Sequence, residues 1–262
     1  MAEEKIRLGG MALPNGVLVH GPYSWACAIR HEDGQIEVAS AKKRFRASRV
    51  NNPFLRGPAR LAEALALLPQ VKAKLPAARL PMESPQTLGS MLGAAVLIRG
   101  LRESRMRPLA RELLSALVSV APAVLALRSG ELAAYHGAEH ISIGTYEHGE
   151  PREKEHERCG SHLVGPLILA SAVGASLASR APDRLRRPAS LVASLGAFAA
   201  STEVFGWMTR HPEHPVARAL AWPGTELQSR VATAEPSPEQ VEVAQAALDA
   251  CLERERAAAD GA

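Results

Sequence analysis

Aromatic residues and cysteines are both scarce in this chain of 262 residues. Phe, Trp and Tyr together make up 4% of the sequence, although apolar residues as a whole reach 47%. A core with so few rings has to be built by close packing of Ala, Leu and Val, which predicts a mostly α protein, a bundle of Ala/Leu-rich helices. The three cysteines, Cys27, Cys159 and Cys251, are odd in number and widely spaced. That pattern excludes a disulfide framework and indicates a reducing, cytoplasmic compartment, with Cys27 and Cys251 packed in the interior.

Long apolar segments are also missing. The first residues contain no apolar stretch of the kind that signal peptides carry, so we expect no signal peptide. Two long uncharged runs, residues 163–179 and 189–202, are shorter than the roughly 20 apolar residues that cross a bilayer. We therefore interpret them as buried helices of a soluble bundle, with membrane association as the alternative.

The net charge is only +4, and most of the positive charge is scattered arginine. The densest runs are residues 42–46 and 184–187, and either could contact phosphate or anionic lipid. We interpret both runs as solvated loops. Because Phe45 is the only aromatic residue in either run, we expect no nucleic-acid binding.

Turn signals are concentrated in the first fifty residues. Gly9-Gly10 and Asn15-Gly16 indicate turns, and residues 25–30 and 35–39 flank the Asp33-Gly34 dipeptide that is typical of a β-hairpin. Residues 1–57 are therefore predicted to form a small N-terminal β-rich segment that packs on the core.

Helical patterns dominate after this segment. Residues 58–236 are predicted to form a helical domain that carries a metal site, with a kink or break at Pro122 and a helix over residues 153–179. Ser237-Pro238-Glu239-Gln240 has the form of a capping box with proline at the first helical position, which predicts a C-terminal helix within residues 237–262.

Histidines are concentrated in one window of the helical domain. Five of the nine lie between His136 and His162. His136 and His140 are four residues apart in a stretch without proline, so they share one face of a predicted helix and could hold one metal ion. Glu139 lies beside that face, where it could bind the metal or act as a general base toward water. This H-x-x-E-H order is that of reversed zinc hydrolases.

Other candidate ligands follow the first motif. Glu147, His156 and Cys159 continue the cluster, and Tyr146 is a candidate proton donor. Glu203 lies inside an apolar helix, where an unpaired carboxylate is costly. The nearest cation on that helix is Arg210, seven residues further along the chain, which is too far for an easy ion pair. We therefore expect Glu203 to be the distal ligand of the His136 and His140 site.

Several blocks of this sequence match the motifs of a known family, in the same order from about residue 9 to residue 250. They are Gly9-Gly10-Met-Ala, Gly16-Val-Leu-Val, Gly21-Pro22, Arg56-Gly57, His136-Gly-Ala-Glu139-His140, Tyr146-Glu147, His156-x-Arg158-Cys159-Gly160-Ser161, Pro223-Gly224 and Leu227-Gln228. In these blocks the chain resembles the YqhQ-like family of predicted metal-dependent enzymes, a bacterial domain of unknown function.

The resemblance implies a metal site formed by the matching residues His136, Glu139, His140, Glu147, His156 and Cys159. It also implies a multi-pass membrane protein, from which this chain departs in its more Ala- and Ser-rich helices.

Three functions are consistent with these observations. The first is a hydrolase with an unknown small-molecule or peptide substrate, in which His136, His140 and Glu203 bind zinc and Glu139 is the general base. The second is a di-metal oxidoreductase, in which Glu139, Glu147, His156 and Glu203 share two iron or manganese ions with the first two histidines. The third is a non-catalytic scaffold closed by a His/Cys zinc site.

Overall fold

A computed structural model describes residues 5–128 and 130–259. The described part begins with a four-stranded antiparallel sheet in the order β1-β2-β3-β4. The strands are β1 Gly9–Leu13, β2 Gly16–His20, β3 Ser24–Arg30 and β4 Ile36–Lys42. Gly34, with φ of 87°, closes the β3–β4 turn at the predicted Asp-Gly dipeptide. The predicted N-terminal β region is confirmed, with a second hairpin, β1–β2, in addition to the expected one.

Eight α-helices follow within the described residues, which confirms the mostly α fold. They are α1 Pro53–Lys74, α2 Pro85–Glu103, α3 Pro108–Leu127, α4 Gly130–His148, α5 Val164–Ala178, α6 Arg186–Arg210, α7 Pro215–Leu227 and α8 Pro238–Ala259. Helix α8 begins as predicted, because the Ser237 backbone N–H donates to Gln240 Oε1 and the Gln240 N–H donates to Ser237 Oγ.

Both faces of the sheet are covered by helices. On one face Val17 and Val19 of β2 join a buried cluster with residues of α4 and α8, including Tyr135 and Val243. On the other face Leu18 joins a second cluster with residues of α1. Because successive side chains of a strand point to opposite faces, burial on both sides explains why β2 and β3 are almost continuously apolar.

Three sequence predictions about local structure are wrong. Helix α3 runs through Pro122 without a break. Gly9 and Gly10 belong to strand β1 and not to a turn. The helix predicted over residues 153–179 begins only at Val164, and the chain between α4 and Gly160 is an irregular connection with bends and one turn. Pro151 lies at the start of that connection. The backbone of the connection is hydrogen-bonded to the side chains of His140 and Gln228.

The apolar helices are not buried as the sequence analysis expected. Three segments, Ala110–Leu127, Gly160–Ala178 and Asp183–Met208, are long and apolar enough to cross a membrane, and 11%, 28% and 17% of each is buried. Large apolar side chains such as Val192 (70% exposed) and Leu195 (66% exposed) point outward. These three helices are therefore compatible with membrane association.

Candidate metal centre

Helix α4 presents three polar side chains to one cavity. Glu139 and His140 are buried, at 7% and 3% exposure, and His136 is half-buried beside them. The rings of His136 and His140 lie 4.3 Å apart between centroids, because the two residues are separated by about one helical turn. The predicted helix and the shared face are both observed.

The two histidines have the same fixed orientation. His136 Nδ1 lies 2.8 Å from the carbonyl oxygen of Ala232, and His140 Nδ1 lies 2.6 Å from that of Lys154. A carbonyl oxygen can only accept, so each Nδ1 carries the proton and each Nε2 keeps its lone pair. Metal-binding histidines commonly donate their second N–H in this way, because the bond fixes both the tautomer and the ring orientation.

Cys159 offers a third candidate ligand atom. Its Sγ and one nitrogen of each of the two histidines lie within 4.8 Å of one another. Cys159 Sγ is 3.6 Å from His136 Nε2. Tetrahedral zinc, with bonds of about 2.05 Å to nitrogen and 2.3 Å to sulfur, needs a separation of about 3.6 Å between those two ligands. The Ser161 N–H donates to the same sulfur at 3.5 Å, which fixes the position of the Cys159 side chain.

Glu139 is a mostly buried carboxylate with no hydrogen-bond or ion-pair partner among the described residues. Gly10 of β1 approaches it so closely that an added Cβ atom would lie 2.2 Å from Glu139 Oε1. Burial of an unpaired carboxylate costs several kcal/mol or more, so a cation or a proton is expected to compensate its charge. The three ligands beside it would provide a place for that cation.

A cavity of about 470 Å³ contains this group. It is lined by the three ligands and Glu139, and by apolar residues of β1 and α3 that include Met11 and Ala123. A larger cleft of about 830 Å³ lies on the other side of the connection between α4 and α5. His156 and Arg158 line both spaces, so this connection separates them.

Two predicted ligands, Glu147 and His156, are bound to each other. His156 Nε2 lies 3.1 Å from Glu147 Oε2, while its Nδ1 accepts from the Arg158 N–H at 3.2 Å, so neither ring nitrogen is free. Arg158 also forms an ion pair with Glu147. Burial opposes the charge of Glu147, but the hydrogen bond from His156 and the charge of Arg158 outweigh it, so the pKa of Glu147 is lowered. The pair holds the connection that carries Cys159.

Two further predicted residues lie outside the cluster. Glu203 forms an ion pair with Arg56 of α1, which removes the reason for expecting it at the metal. Arg210 lies on the same helix as Glu203. Arg56 lies 147 residues before Glu203 in the chain, so no helical spacing links the two residues. Tyr146 accepts a hydrogen bond from the Ile6 N–H at 3.0 Å and packs at the edge of the core, so it positions the N-terminal segment.

Sequence reasoning missed the groups that orient the ligands. Gly137 lets the chain after α7 pass close to α4, because an added Cβ would lie 2.4 Å from the Ala234 carbonyl oxygen. This approach brings the Ala232 carbonyl to His136. Gln228 is 1% exposed, and it accepts from the His156 N–H and donates to Ser161 Oγ. The one sequence signal of this close approach is Gly137 itself, the glycine inside the H-G-A-E-H motif.

The other two cysteines are fully buried among apolar side chains. Burial raises the pKa of the Cys27 thiol to about 12 and that of the Cys251 thiol to about 11. Both are protonated packing residues at neutral pH, which leaves Cys159 as the cysteine available to bind a metal.

The comparison with known protein families covers the same region. A family described as a protein of unknown function, DUF1385, matches residues 116–254, just over half of the chain. No curated protein and no solved structure matches. The matched range includes His136, Glu139, His140 and Cys159, together with the two carbonyl groups that orient the histidines. The chain therefore belongs to the DUF1385 family of proteins of unknown function.

Proposed function

We propose that this protein is a membrane-associated metal-dependent enzyme, a hydrolase that holds one zinc ion between His136, His140 and Cys159. The observation that carries the proposal is the convergence of the two histidines, which share one tautomer, with Cys159. Each Nδ1 is bound to a backbone carbonyl, His136 Nε2 lies 3.6 Å from the Cys159 sulfur, and one ligand atom of each of the three residues lies within 4.8 Å of the others. His148 and His211 also contact a carbonyl through Nδ1, but they lie outside the cluster, so the convergence of His136 and His140 with Cys159 within 4.8 Å is what distinguishes these two histidines.

The ligand set favours zinc. Two imidazoles and one thiolate match its preference for nitrogen and sulfur, and three protein ligands leave one tetrahedral position for water or substrate. When bound in such a site, zinc supplies Lewis acidity at the open position. Apolar residues of β1 and α3 line the cavity and limit the access of bulk water. In this proposal the substrate is a small molecule or a peptide.

Glu139 serves as the general base in this proposal. Its carboxylate faces the same cavity as the ligands, and no described group competes for it. A carboxylate in this position can accept a proton from water and pass it to a leaving group. Gly10 keeps the wall opposite Glu139 free of a side chain.

The competing functions place Glu139 differently. In the scaffold, Glu139 would be a fourth ligand and would close the site, and its place in the cavity beside the three ligands favours this as the second candidate. The di-metal oxidoreductase needs several free carboxylates, but Glu147 and Glu203 are both engaged by arginines.

The three apolar helices support a membrane location, because their outward faces carry large apolar side chains that water would solvate poorly. The resemblance to the YqhQ-like family supports both the metal and the membrane.

Elemental analysis of the full-length protein, purified without added metal, tests the metal centre. We expect one zinc per chain, and we expect H136A, H140A and C159A each to lose most of it. H148A is the matched control, because His148 lies on the same helix but donates its Nδ1–H to the Gly144 carbonyl and is outside the cluster. Two irons would favour the oxidoreductase, and copper or an equal loss of metal in H148A would contradict the proposal.

The variant E139Q separates the hydrolase from the scaffold. We expect it to keep its zinc and to lose about two to four orders of magnitude in the rate of hydrolysis, measured on a panel of ester, amide and phosphate substrates. Loss of zinc in E139Q would make Glu139 a ligand and would favour the closed scaffold.

A further inference from the structure

A second polar cavity lies far from the metal centre. It has a volume of about 600 Å³ and lies between α2, α3, α5 and α6. Arginines and serines dominate its lining, among them Arg102, Arg111, Arg186, Ser115, Ser171 and Ser190. We call it the arginine–serine pocket.

The pocket is at the end of the bundle opposite the metal centre. On α3 its lining residues begin at Arg111, whereas Ala126 of the same helix lines the metal cavity. The pocket lining on α3 is centred near Ser115 and extends to Ser119, and the metal-cavity lining begins at Ala123. At about 1.5 Å per residue, the two centres are about 15 Å apart along the helix and the nearest lining residues about 6 Å apart. The pocket therefore belongs to the turn end of two helical hairpins, where α2 leads into α3 and α5 leads into α6.

Positive charge is concentrated at this end. Residues 99–112 and 180–187 contain nine arginines and three acidic residues, which gives these two segments a net charge of +6. The whole chain carries only +4, so the rest of the chain is slightly negative. The helix dipoles add little, because two helices begin and two end here and their terminal charges cancel. The arginine side chains themselves therefore set the potential in the pocket.

The arginines retain free donors. Arg111 Nε lies 3.2 Å from Glu112 Oε1, and Arg186 makes one contact with Asp183. Arg102 has no hydrogen-bond or ion-pair partner among the described residues. A guanidinium has five N–H donors in a planar fork, so the single contacts of Arg111 and Arg186 leave most of theirs available.

Ser115 provides an independent indication of a ligand. It is 7% exposed and lines the pocket, yet its hydroxyl has no hydrogen-bond partner among the described residues. Other serines of the pocket, such as Ser190 and Ser194, donate to carbonyls of their own helix and keep only acceptor capacity. A buried hydroxyl without a partner is costly, and a ligand oxygen would satisfy it.

We infer that the arginine–serine pocket binds a phosphate group, carried by an anionic phospholipid headgroup or by a small soluble phosphate. Three guanidiniums and a free hydroxyl are the donors that a tetrahedral, multiply accepting anion requires. The exposed apolar faces of α5 and α6 continue from the pocket, so acyl chains attached to the phosphate would lie along apolar surface. The inference is independent of the metal and of catalysis.

Binding of a fluorescent phosphatidylglycerol to the full-length protein in detergent tests the pocket, with phosphatidylcholine as the reference lipid. The double variant R102Q/R186Q should lower the affinity for phosphatidylglycerol by about tenfold or more. The matched control is R105Q/R184Q, which removes two arginines from the same two connections without touching the pocket. We expect the control to stay within about twofold of the unmodified protein.

The variant S115A keeps the test valid if arginine replacement harms folding. It should lower the affinity several-fold while leaving thermal stability unchanged or raised, because it removes a buried hydroxyl without a partner. Competition by millimolar inorganic phosphate would assign the site to a soluble phosphate. A preference for phosphatidylglycerol without such competition would assign it to a lipid headgroup.

Three outcomes would overturn the inference. The first is an equal loss of binding in both double variants, which would indicate general surface charge. The second is an unchanged affinity in R102Q/R186Q and S115A together. The third is no preference for phosphatidylglycerol over phosphatidylcholine combined with no binding of inorganic phosphate.

Discussion

Two backbone carbonyls do as much for the metal centre as the motif that first indicated it. Ala232 and Lys154 come from segments 96 and 14 residues away from their histidines, and each accepts the Nδ1 proton. A carbonyl group is present at every residue, so no sequence pattern distinguishes these two. The i and i+4 histidines could be predicted from sequence, whereas their orientation depends on how distant segments return to α4.

The ion pair between Glu203 and Arg56 changes the expected effect of replacing Glu203. E203Q should keep its full metal content, because Glu203 is bound to Arg56 and lies outside the ligand cluster. Elemental analysis of E203Q beside H140A checks this expectation. A loss of zinc in E203Q comparable to that in H140A would restore Glu203 as a ligand.

The sequence argument about Glu203 was correct in its first half. A carboxylate in an apolar helix did need a partner, and it has one. The error was to search for the partner on the same helix, where Arg210 was the nearest cation. The contact between α1 and α6 brings Arg56 to it, and contacts between elements so far apart in the chain leave no periodic signal.

At the scale of elements, strand β1 shapes the metal cavity. Gly10→Ala should disturb Glu139, because the new Cβ would overlap its carboxylate. We expect G10A to lose activity, and to lose metal as well if Glu139 is a ligand. Gly160→Ala is the control, since Gly160 lines the same cavity and an added Cβ there meets no atom within 4 Å. Equal activity and metal content in the two variants would contradict a role for this close contact.

Strand β2 ends in a buried histidine that makes folding depend on pH. Burial and the charge of Lys43 lower the pKa of His20 from 6.5 to about 4, although Glu63 opposes the shift. The unfolded chain therefore binds a proton near pH 6.5 and the folded chain only near pH 4. Stability should be complete above pH 6.5 and should fall by about 3 kcal/mol as the pH is lowered through this window.

The free energy of unfolding, measured by denaturant at several pH values between 7.5 and 4, checks the His20 prediction. H20Q should flatten the dependence within the window. Glu147 has a lowered pKa as well, but its contribution to stability is lost only at still lower pH, as its carboxyl becomes protonated. A stability that increases on acidification from pH 6.5 would contradict the prediction.

The connection between α4 and α5 shows where periodicity misled. Histidine and cysteine at a spacing of three suggested a helix, and the Cys159 N–H does donate to the His156 carbonyl in a single turn. Residues 150–159 otherwise form an irregular connection that is bound through its backbone. A backbone that donates to Gln228 and accepts from His140 cannot also complete a helical ladder. This path of the connection brings Cys159 next to His136. A continuous helix over residues 150–159 would not bring the chain back to α4 in this way.

For the molecule as a whole, the central expectation is that the outward apolar faces contact lipid. V192K should disrupt membrane integration, because lysine near the centre of a membrane helix costs about 2.5–3.5 kcal/mol. F54K is the matched control, since Phe54 is 75% exposed but lies outside the three candidate spans. The fraction of protein that stays with membranes after an alkaline wash is the measurement. A membrane-bound fraction of V192K equal to that of F54K would contradict membrane integration.

The helical class, the N-terminal hairpin and the C-terminal cap could be predicted because they depend on local signals such as Asp33-Gly34 and Ser237-Pro238. The exposure of the apolar helices could not be predicted from the sequence. Runs rich in Ala, Gly and Ser fit a buried helix and a lipid-facing helix equally well, and only the packing of α5 and α6 shows which faces remain uncovered.

The layered arrangement of the sheet has a consequence for how the protein is made. One face of β2 and β3 is covered by α8, which begins more than 200 residues after β3. A ribosome completes the strands early and α8 last, so this apolar face of the sheet stays uncovered while the helices between them are synthesised. Closing so long a loop is entropically costly and slow. The sheet therefore needs temporary shielding, by a chaperone or by the bilayer surface, until the end of the chain seals it.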